Sequence, residues 1–283
     1  MSTEELLLPS RRRDVRGAAR RAEILRLLEA GDELTVEQLA ERFGVSLATM
    51  RRDLTRLRQE YGVTRTYGGA TLARPRDELP VRQRATTRRA AKDAIGRLAA
   101  AGVADEDVLI VDAGTTTESL ARHLEAARLT VFTNGIGTIN ALLEKNHDVS
   151  VIVLGGRLRH TNETIAGAEA EAMLRHVYAT TAFIGAEAVD PRLGIASRTL
   201  DQCRIKSLMM TQAKNVVVLA DSSKLQGGYF NYWSPLPASW CLITDDEASP
   251  EAVEVMRESG ASEIRQATVE PEEAAAETEG QAS

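Results

Sequence analysis

Cysteine, lysine and aromatic residues are scarce in this 283-residue sequence, and no long apolar run occurs. Two cysteines, Cys203 and Cys241, cannot build a disulfide framework or a four-thiolate zinc site, and they fit a reducing compartment. The longest apolar runs, such as Val151-Ile152-Val153-Leu154, fall far short of the roughly 20 residues that span a bilayer. No apolar segment follows the basic N-terminal stretch, so a secretory signal is not expected. No repeat of fixed period occurs. A hydrophobic content of 43% is enough for real cores and excludes a wholly disordered chain. The expectation is a cytoplasmic protein of one large or two ordinary domains, with no metal, no cofactor and no membrane partner.

The formal charge of −6 averages two unlike parts. Residues 1–89 hold 19 arginines, no lysine and 13 acids, a net +6, whereas residues 90–283 carry a net −12. A basic front on an acidic body suggests that only the front meets a polyanion; an arginine-rich solvated surface explains the charge equally well.

Residues 1–17 lack usable periodicity and read as a flexible arm. A first, small unit is expected over 18–74. Ile24, Leu25, Leu27 and Leu28 form one helical face, with Gly31 as a stop. Thr35-Val36-Glu37-Gln38 has capping-box spacing and opens a short helix with Leu39 and Phe43 inward. Gly44 breaks that helix, and Ser46 can cap a third one running to about Tyr61. Val63–Thr66 and Ala70–Leu72 read as two strands around a Tyr67-Gly68-Gly69 turn. The charged, proline-broken stretch 75–89 reads as a linker.

From residue 90 the rhythm changes. Apolar runs at 108–112, 129–133, 149–154, 180–184, 216–220 and 240–244 alternate with helical patterns at 116–127, 136–145, 167–176 and 199–212. The expected architecture is therefore a mostly parallel α/β sheet over 90–265. Residues 266–283, with five glutamates and no base, read as an acidic disordered tail.

On a helical wheel, Leu47, Met50, Leu54 and Leu57 of helix 47–60 share a sector of about 80° and should face a core. Arg52 lies opposite, with Ala48, Thr49, Thr55 and Arg56 around it and Arg51 and Arg58 at the margin. Small residues and arginines outward, behind a serine cap, suit entry into a major groove. The small side chains permit close approach, and the arginines reach guanine edges or phosphates. Arg65 and Tyr67 flank the ribbon tip at Gly68. The plainer alternative is that these arginines solvate an exposed face, paired with Asp53 or Glu60.

The second unit places Gly- and Thr-rich loops at strand ends, where ligands of open α/β sheets bind. Asp112-Ala113-Gly114-Thr115-Thr116-Thr117 opens a helix and can cradle an anion with backbone N–H groups and hydroxyls. Thr133-Asn134-Gly135, Gly155-Gly156-Arg157 and Asp221-Ser222-Ser223-Lys224 end further strands. Each alone is common turn chemistry. Lys206 and Lys224, two of only five lysines, lie near element ends where a phosphate would sit or else are solvated surface lysines. The stretch 227–240 holds Tyr229, Phe230, Tyr232, Trp233 and Trp240, five of 11 aromatics, and reads best as a packed loop, with pocket lining or an oligomer contact as alternatives.

The string from Thr35 to Ser46, followed by Thr49-Met50-Arg51-Arg52-Asp53-Leu54, resembles the DeoR-type transcriptional regulators. Their recognition helix reads T-I-R-R-D-L and their wing G…R-x-H-G-G-A; here Met50 stands for Ile and Tyr67 for His. Asp112–Thr116, Thr133-Asn134, Leu154–Gly156, Phe183–Ala186 and Leu219–Lys224 resemble phrases of the same family's sensor domain. The resemblance implies a winged helix-turn-helix followed by a domain similar to ribose-5-phosphate isomerase. It also implies a repressor of carbohydrate or polyol genes that binds operator DNA as a homo-oligomer and responds to a phosphorylated sugar. The implied DNA contacts are Ser46, Ala48, Thr49, Arg51, Arg52, Thr55, Arg56, Arg65, Tyr67 and Gly68. The implied phosphate cradle is Gly114–Thr117 with Lys206 and Lys224, and Asp112, Asn134 and Asp221 are hydroxyl readers; Thr133, Gly155 and Gly156 complete the effector set. Where the family has an acidic residue four positions before the Lys206 site, this chain has Gln202. A sugar-phosphate isomerase with an appended DNA-binding unit is the competing reading, and it needs a carboxylate base such as Asp201, Glu187 or Asp190. A structural DNA-binding protein without an effector is a third.

Overall fold

A computed structural model describes residues 17, 20–24, 26–27, 34–61, 63–66, 69–72, 78–144, 148–225 and 230–270, with the side chains of 34 and 58–72 left aside. The sequence-based readings of the arm before residue 17, of Leu25, Leu28 and Gly31, of Tyr67 and Gly68, of the side chains of Arg58, Glu60 and Arg65, of Tyr229 and of the tail from 271 to 283 lie outside the described residues. The chain divides into two compact units, Met1–Asp77 and Glu78–Ser283.

In the first unit, helical residues 20–24 and 26–27 precede strand β1 (Leu34–Thr35), the helices Val36–Arg42 and Leu47–Tyr61, and the strands β2 (Val63–Thr66) and β3 (Gly69–Leu72). The capping box forms as its spacing predicts: the Gln38 N–H donates to Thr35 Oγ1 at 3.1 Å and the Thr35 N–H to Gln38 Oε1 at 2.8 Å. Gly44 turns the chain with φ +61°, a left-handed conformation that favours glycine. Ile24, Val36, Leu39, Met50, Leu54 and Leu57 close one core. Leu47, expected in that core, is 40% exposed. It is the first residue of its helix, and helical side chains tilt towards the N-terminus, so Leu47 overhangs the end of the core. The sequence reading also omitted β1, which pairs antiparallel with β3 to give the order β1-β3-β2.

The second unit is built on a seven-stranded parallel sheet. Its strands are β4 (Val108–Val111), β5 (Leu129–Thr133), β6 (Val149–Val153), β9 (Ala179–Gly185), β12 (Ala213–Leu219), β14 (Trp240–Asp245) and β15 (Ala261–Ala267), in the order β15-β14-β12-β9-β4-β5-β6. Helices Arg89–Ala100, Thr115–His123, Ile136–Glu144, Ala168–Leu174, Leu200–Thr211 and Pro250–Glu258 complete the framework. Both faces are buried: on β4, Ile110 packs into one apolar layer and Leu109 and Val111 into the other. From β4 the chain builds outward to β6, then returns to build the other half from β9. The strand order therefore reverses between β4 and β9. Short antiparallel pieces lie off the sheet: the hairpin of β7 (Arg157–Arg159) with β8 (Thr164–Ala166), and the trio β10 (Val189–Asp190), β11 (Gly194–Ser197) and β13 (Tyr232–Ser234).

Two boundaries differ from the sequence reading. Residues 78–89, read as linker, fold into the second unit and include the helix Val81–Thr86. Pro75 and Pro80 suggested a broken segment, yet Pro80 stands just before the helix, where its fixed φ is tolerated. Gln266 and Ala267, assigned to the acidic tail, belong to the edge strand β15, whose exposed, glutamate-containing sequence hides its strand character.

Asp53 organises the first unit. Its carboxylate is almost fully buried and takes Arg20 Nε at 2.7 Å and Arg21 Nη1 at 3.3 Å. The first helix is thereby tied to the recognition helix. Asp53→Ala should lower the stability of this unit by roughly 1–3 kcal/mol in urea unfolding, because it strands two half-buried guanidinium groups. Arg51→Ala, at an exposed position, should change it by less than about 0.5 kcal/mol.

Candidate nucleic-acid interface and ligand site

The helix Leu47–Tyr61 presents Ala48, Arg51, Arg52, Thr55 and Arg56 to solvent. Its start is capped by Ser46, whose Oγ accepts the Thr49 N–H at 3.2 Å and lies 2.9 Å from Thr49 Oγ1. Thr55 Oγ1 donates to the Arg51 carbonyl at 2.7 Å, so that hydroxyl is partly committed to the helix. The alternative that Asp53 neutralises the outward arginines fails, because Asp53 faces the first helix. Among the described residues no carboxylate lies within ion-pair distance of Arg51, Arg52 or Arg56. Three guanidinium groups without a carboxylate partner among the described residues thus share one exposed face with a small Ala48 at a capped helix start; the Glu60 side chain, the other partner the sequence offered, lies outside those residues.

In the second unit, parallel pairing puts every strand's carboxyl end on one edge, and the order reverses between β4 and β9, the place where open α/β sheets form a ligand crevice. Asp112, just beyond β4, is buried; its Oδ2 accepts the Gly185 N–H at 3.2 Å and pairs with Lys206. Lys206 Nζ also donates to the Gly185 carbonyl at 2.7 Å. Lys206 therefore lies mid-helix and 7% exposed, bracing β4 against β9, rather than at an element end as the sequence suggested. The backbone of Ala113 donates to Asn134 Oδ1 at 2.9 Å, tying the loops after β4 and β5. Those loops pack so closely that a Cβ on Gly135 would stand 2.9 Å from Ala113 Cα. Asn134 is fully buried, and its Nδ2 has no hydrogen-bond partner among the described residues.

Gly114 precedes the helix Thr115–His123, whose first turn has no side-chain cap, so backbone N–H groups there are left for another acceptor. Thr116 and Thr117 are buried, and Thr117 Oγ1 donates back to the Gly114 carbonyl at 2.9 Å; only Thr115 is partly open. Thr133 Oγ1 accepts the Gly135 N–H at 3.2 Å, a turn-shaping role. Asp221 caps the single turn Ser222–Lys224 and is paired with Arg88 at 3.2 Å. Gly155 and Gly156 follow β6, two strands from β4 and so about 9.5 Å away. Gly155 N–H meets Met173 Sδ, so these two glycines are not gathered with the others.

Sequence reasoning missed the residues that crowd this edge from the segment read as linker and from the helix after it. Lys92 is 8% exposed and donates to the Arg84 carbonyl. Burial pushes its ammonium down to about 8, against an opposing pull from Asp221 and reinforced by Lys224 and Arg84. Arg84 Nη1 meets Glu187 Oε1 at 2.6 Å, and Arg198 Nε approaches Glu187 Oε2 at 3.5 Å. Burial opposes the charge of Glu187, but Arg84 and Arg198, with Lys224 and Lys206 behind them, outweigh it and hold the carboxyl below its ordinary value. Arg88 reaches Asp245 at 2.8 Å and Glu247 at 3.1 Å; despite its own burial these carboxylates, with Asp221, raise it above its ordinary value. The spacing 84, 88, 92 was the available signal, three cations at four-residue intervals.

The other open points resolve structurally. Gln202 is the third helical residue of a capping box with Thr199, a position that glutamate and glutamine fill alike. The aromatic stretch packs: Trp240 is 1% exposed, Phe230 meets Trp233 edge-on at 5.9 Å, and Arg198 lies over the Phe230 ring at 4.9 Å. Among the described residues no helix is long and apolar enough to cross a membrane, and no group of three His, Cys, Asp or Glu side chains is placed to hold a metal ion.

Comparison with known proteins agrees with this geometry. Residues 20–76 match the DeoR-like helix-turn-helix domain and residues 87–246 the DeoR C terminal sensor domain. The HTH-type transcriptional repressor GlcR of Bacillus subtilis (strain 168) is 34% identical over 223 residues, 78% of this chain and 86% of that protein. A putative aga operon transcriptional repressor of Escherichia coli O157:H7 is 28% identical over 249 residues, 87% of this chain and 92% of that protein. A ribose 5-phosphate isomerase of Methanocaldococcus jannaschii is 15% identical, with a TM-score of 0.34 over 47% of this chain and 52% of that one, a likeness too slight to bear on activity. With an exposed arginine face on a capped helix in one unit and a parallel α/β sheet with a strand-order reversal in the other, the chain belongs to the DeoR family of helix-turn-helix transcriptional regulators.

Proposed function

We propose that the protein is a cytoplasmic repressor of carbohydrate or polyol genes whose operator affinity changes when a phosphorylated sugar binds the second unit. The charge balance at the carboxyl edge of the sheet carries this reading. Asp112 is matched by Lys206, Glu187 by Arg84 and Arg198, and Asp221 and Asp245 by Arg88. Lys92 and Lys224 remain, with no carboxylate within ion-pair distance among the described residues. Two lysines close enough to repel each other leave this edge short of negative charge, and a phosphoryl group supplies it. In this reading Asn134, whose Nδ2 has no partner among the described residues, and Asp221 read sugar hydroxyls, while Asp112 and Lys206 brace the crevice. Relatives named as transcriptional repressors, GlcR and the putative aga operon repressor, support the repressor part of this reading.

A catalytic role is less well supported. Proton transfer between carbons needs a base poised near neutrality. Glu187 is held in the opposite direction by two arginines, Asp112 is paired with a buried lysine, and Asp201 is exposed on the far end of its helix beside Arg157. On the DNA side, Arg51, Arg52 and Arg56 with Ala48 and Thr49 read the major groove, and the ribbon carrying Arg65, Tyr67 and Gly68 supports the contact. Helix-turn-helix proteins pair on half-sites one helical turn apart, so the working form is a homo-oligomer.

Arg52→Ala should weaken binding to the DNA upstream of its own gene by about 10–100-fold, the range of a lost base contact, in a mobility-shift titration without lowering the unfolding temperature. Equal affinity in the two proteins would refute the assigned face. Lys224→Ala should abolish the thermal stabilisation that a matching sugar phosphate confers, found by screening a panel, yet leave operator binding intact.

The buried Lys92 makes a pH prediction. Its ammonium titrates near 8 when folded and near 10.5 when unfolded, so between these values the unfolded chain binds more protons. Its cost, roughly 3 kcal/mol, is fully present below pH 8 and relieved as pH rises to 10.5. Lys92→Met should therefore be more stable than the parent at pH 7, with the gap closing by pH 10 in urea titrations. Anion binding near pH 8 should be accompanied by proton uptake in the parent, visible as a buffer-dependent calorimetric enthalpy, and not in Lys92→Met.

A further inference from the structure

Residues 78–89 join the two units in sequence, and they are stapled across the carboxyl edge of the sheet. Glu78 is 5% exposed and pairs with Arg159 at 2.6 Å, and the Val81 N–H donates to the Thr161 carbonyl at 3.2 Å. Arg84 is fastened to Glu187 just beyond β9, and Arg88 to Asp221 and Asp245 at the ends of β12 and β14. One short segment thus touches four structural pieces that surround the crevice. Arg84 stands seven residues after Asp77, the last residue of the first unit.

The fastening is not relaxed. Arg88 adopts φ +51°, a left-handed conformation that an arginine keeps only when its surroundings impose it. Arg84 Nε is buried without a hydrogen-bond partner among the described residues. The Arg84 carbonyl accepts the Lys92 ammonium, the same cation assigned above to the anion. An anion that draws Lys92 towards itself loosens this bond at the backbone of residue 84. Releasing Arg84 does not strand its partner, because Arg198 also faces Glu187 and is itself seated on the Phe230 ring. A buried carboxylate that loses one of two cations is far cheaper to maintain than one that loses its only cation.

We propose that the Arg84–Glu187 ion pair is a latch that positions the 78–88 segment, and that anion binding at Lys92 acts on operator binding by releasing it. Arg84 and Glu187 are positioning residues that do not touch the ligand. The proposal rests on the ligand-site reading above and names the route by which that site is heard. A ligand shifts such an equilibrium only through a difference between the two states, and the Lys92 bond to the Arg84 carbonyl supplies that difference.

The test uses the full chain with inorganic phosphate as the probe. Amide hydrogen exchange over residues 78–92, thermal stabilisation by phosphate, and affinity for the DNA upstream of its own gene are measured together. In the parent, phosphate should raise the unfolding temperature and accelerate exchange over 78–92 at least threefold. Glu187→Gln and Arg84→Gln should show that faster exchange without phosphate and still be stabilised by phosphate. Their operator affinity should be shifted at least fivefold from the parent's, in the direction phosphate shifts the parent. Arg84→Lys, which keeps the cation, should retain most of the parent's response. If phosphate stabilises the parent but leaves 78–92 unmoved, or if the two glutamine variants respond like the parent, the latch is wrong and the ligand site stands. If phosphate fails to stabilise the parent at all, the ligand-site reading falls and the latch with it.

Discussion

Asp112 is the constraint on which the second unit depends. The strand order reverses between β4 and β9, and nothing in a parallel ladder by itself decides how the two loops leaving that point are arranged. One buried carboxylate decides it. It accepts the Gly185 N–H from the end of β9 and pairs with Lys206, whose other contact is the Gly185 carbonyl. A charge pair this deep contributes little net stability against an apolar filling, yet removing either partner is costly, on the order of 3–5 kcal/mol. The pair is thus better understood as specifying one arrangement of the crevice than as a source of stability. Asn134 continues the brace by gripping the Ala113 N–H, and Gly135 lets the two loops approach.

The same device operates in the first unit. Asp53, immediately after Arg51 and Arg52, turns away from both and binds Arg20 and Arg21 on the first helix. An internal carboxylate takes selected cations and leaves others without a partner among the described residues. In one unit the remainder is a row of exposed guanidinium groups; in the other it is Lys92 and Lys224 at the sheet edge. The unpaired charges, rather than the total, mark the surfaces suited to polyanion and small anion.

Much of this architecture was legible because burial on both faces leaves continuous apolar runs. The runs read at 108–112, 129–133 and 240–244 correspond to β4, β5 and β14 with shifts of at most one residue. β15 was not legible: at the sheet edge, Ala261-Ser262-Glu263-Ile264-Arg265-Gln266-Ala267 needs little apolar character, and its only strong strand former is Ile264. Leu47 obeyed the helical wheel but not the finite length of the core. The candidate site was half legible. Loop chemistry at strand ends marked Asp112, Gly114 and Asn134, whereas Gly155 and Gly156 carried the same signal and serve a turn at the far edge. Arg84 and Arg88 escaped because their segment was classified by its prolines, and Lys92 because it stands on a helix rather than in a strand-end loop. Their role comes from long-range contacts of more than 100 residues in the case of Arg84, which no local pattern encodes.

The scarcity of lysine then acquires a physical sense. In a chain with 30 arginines, three of five lysines gather at the carboxyl edge of one sheet. Arginine stays charged and offers a planar fork, which suits the bracing of carboxylates by Arg20, Arg84 and Arg88. Lysine is a compact cation whose proton affinity yields to burial, and Lys92 has yielded to about 8. An amine so placed carries its charge below pH 8 at a cost that an arriving anion relieves, and near pH 8 the anion draws a further share of protons onto it. Arginine at position 92 would hold its charge regardless and could not report occupancy in this way. The division of labour between the two cations therefore separates what holds the crevice in shape from what is left to respond to its contents.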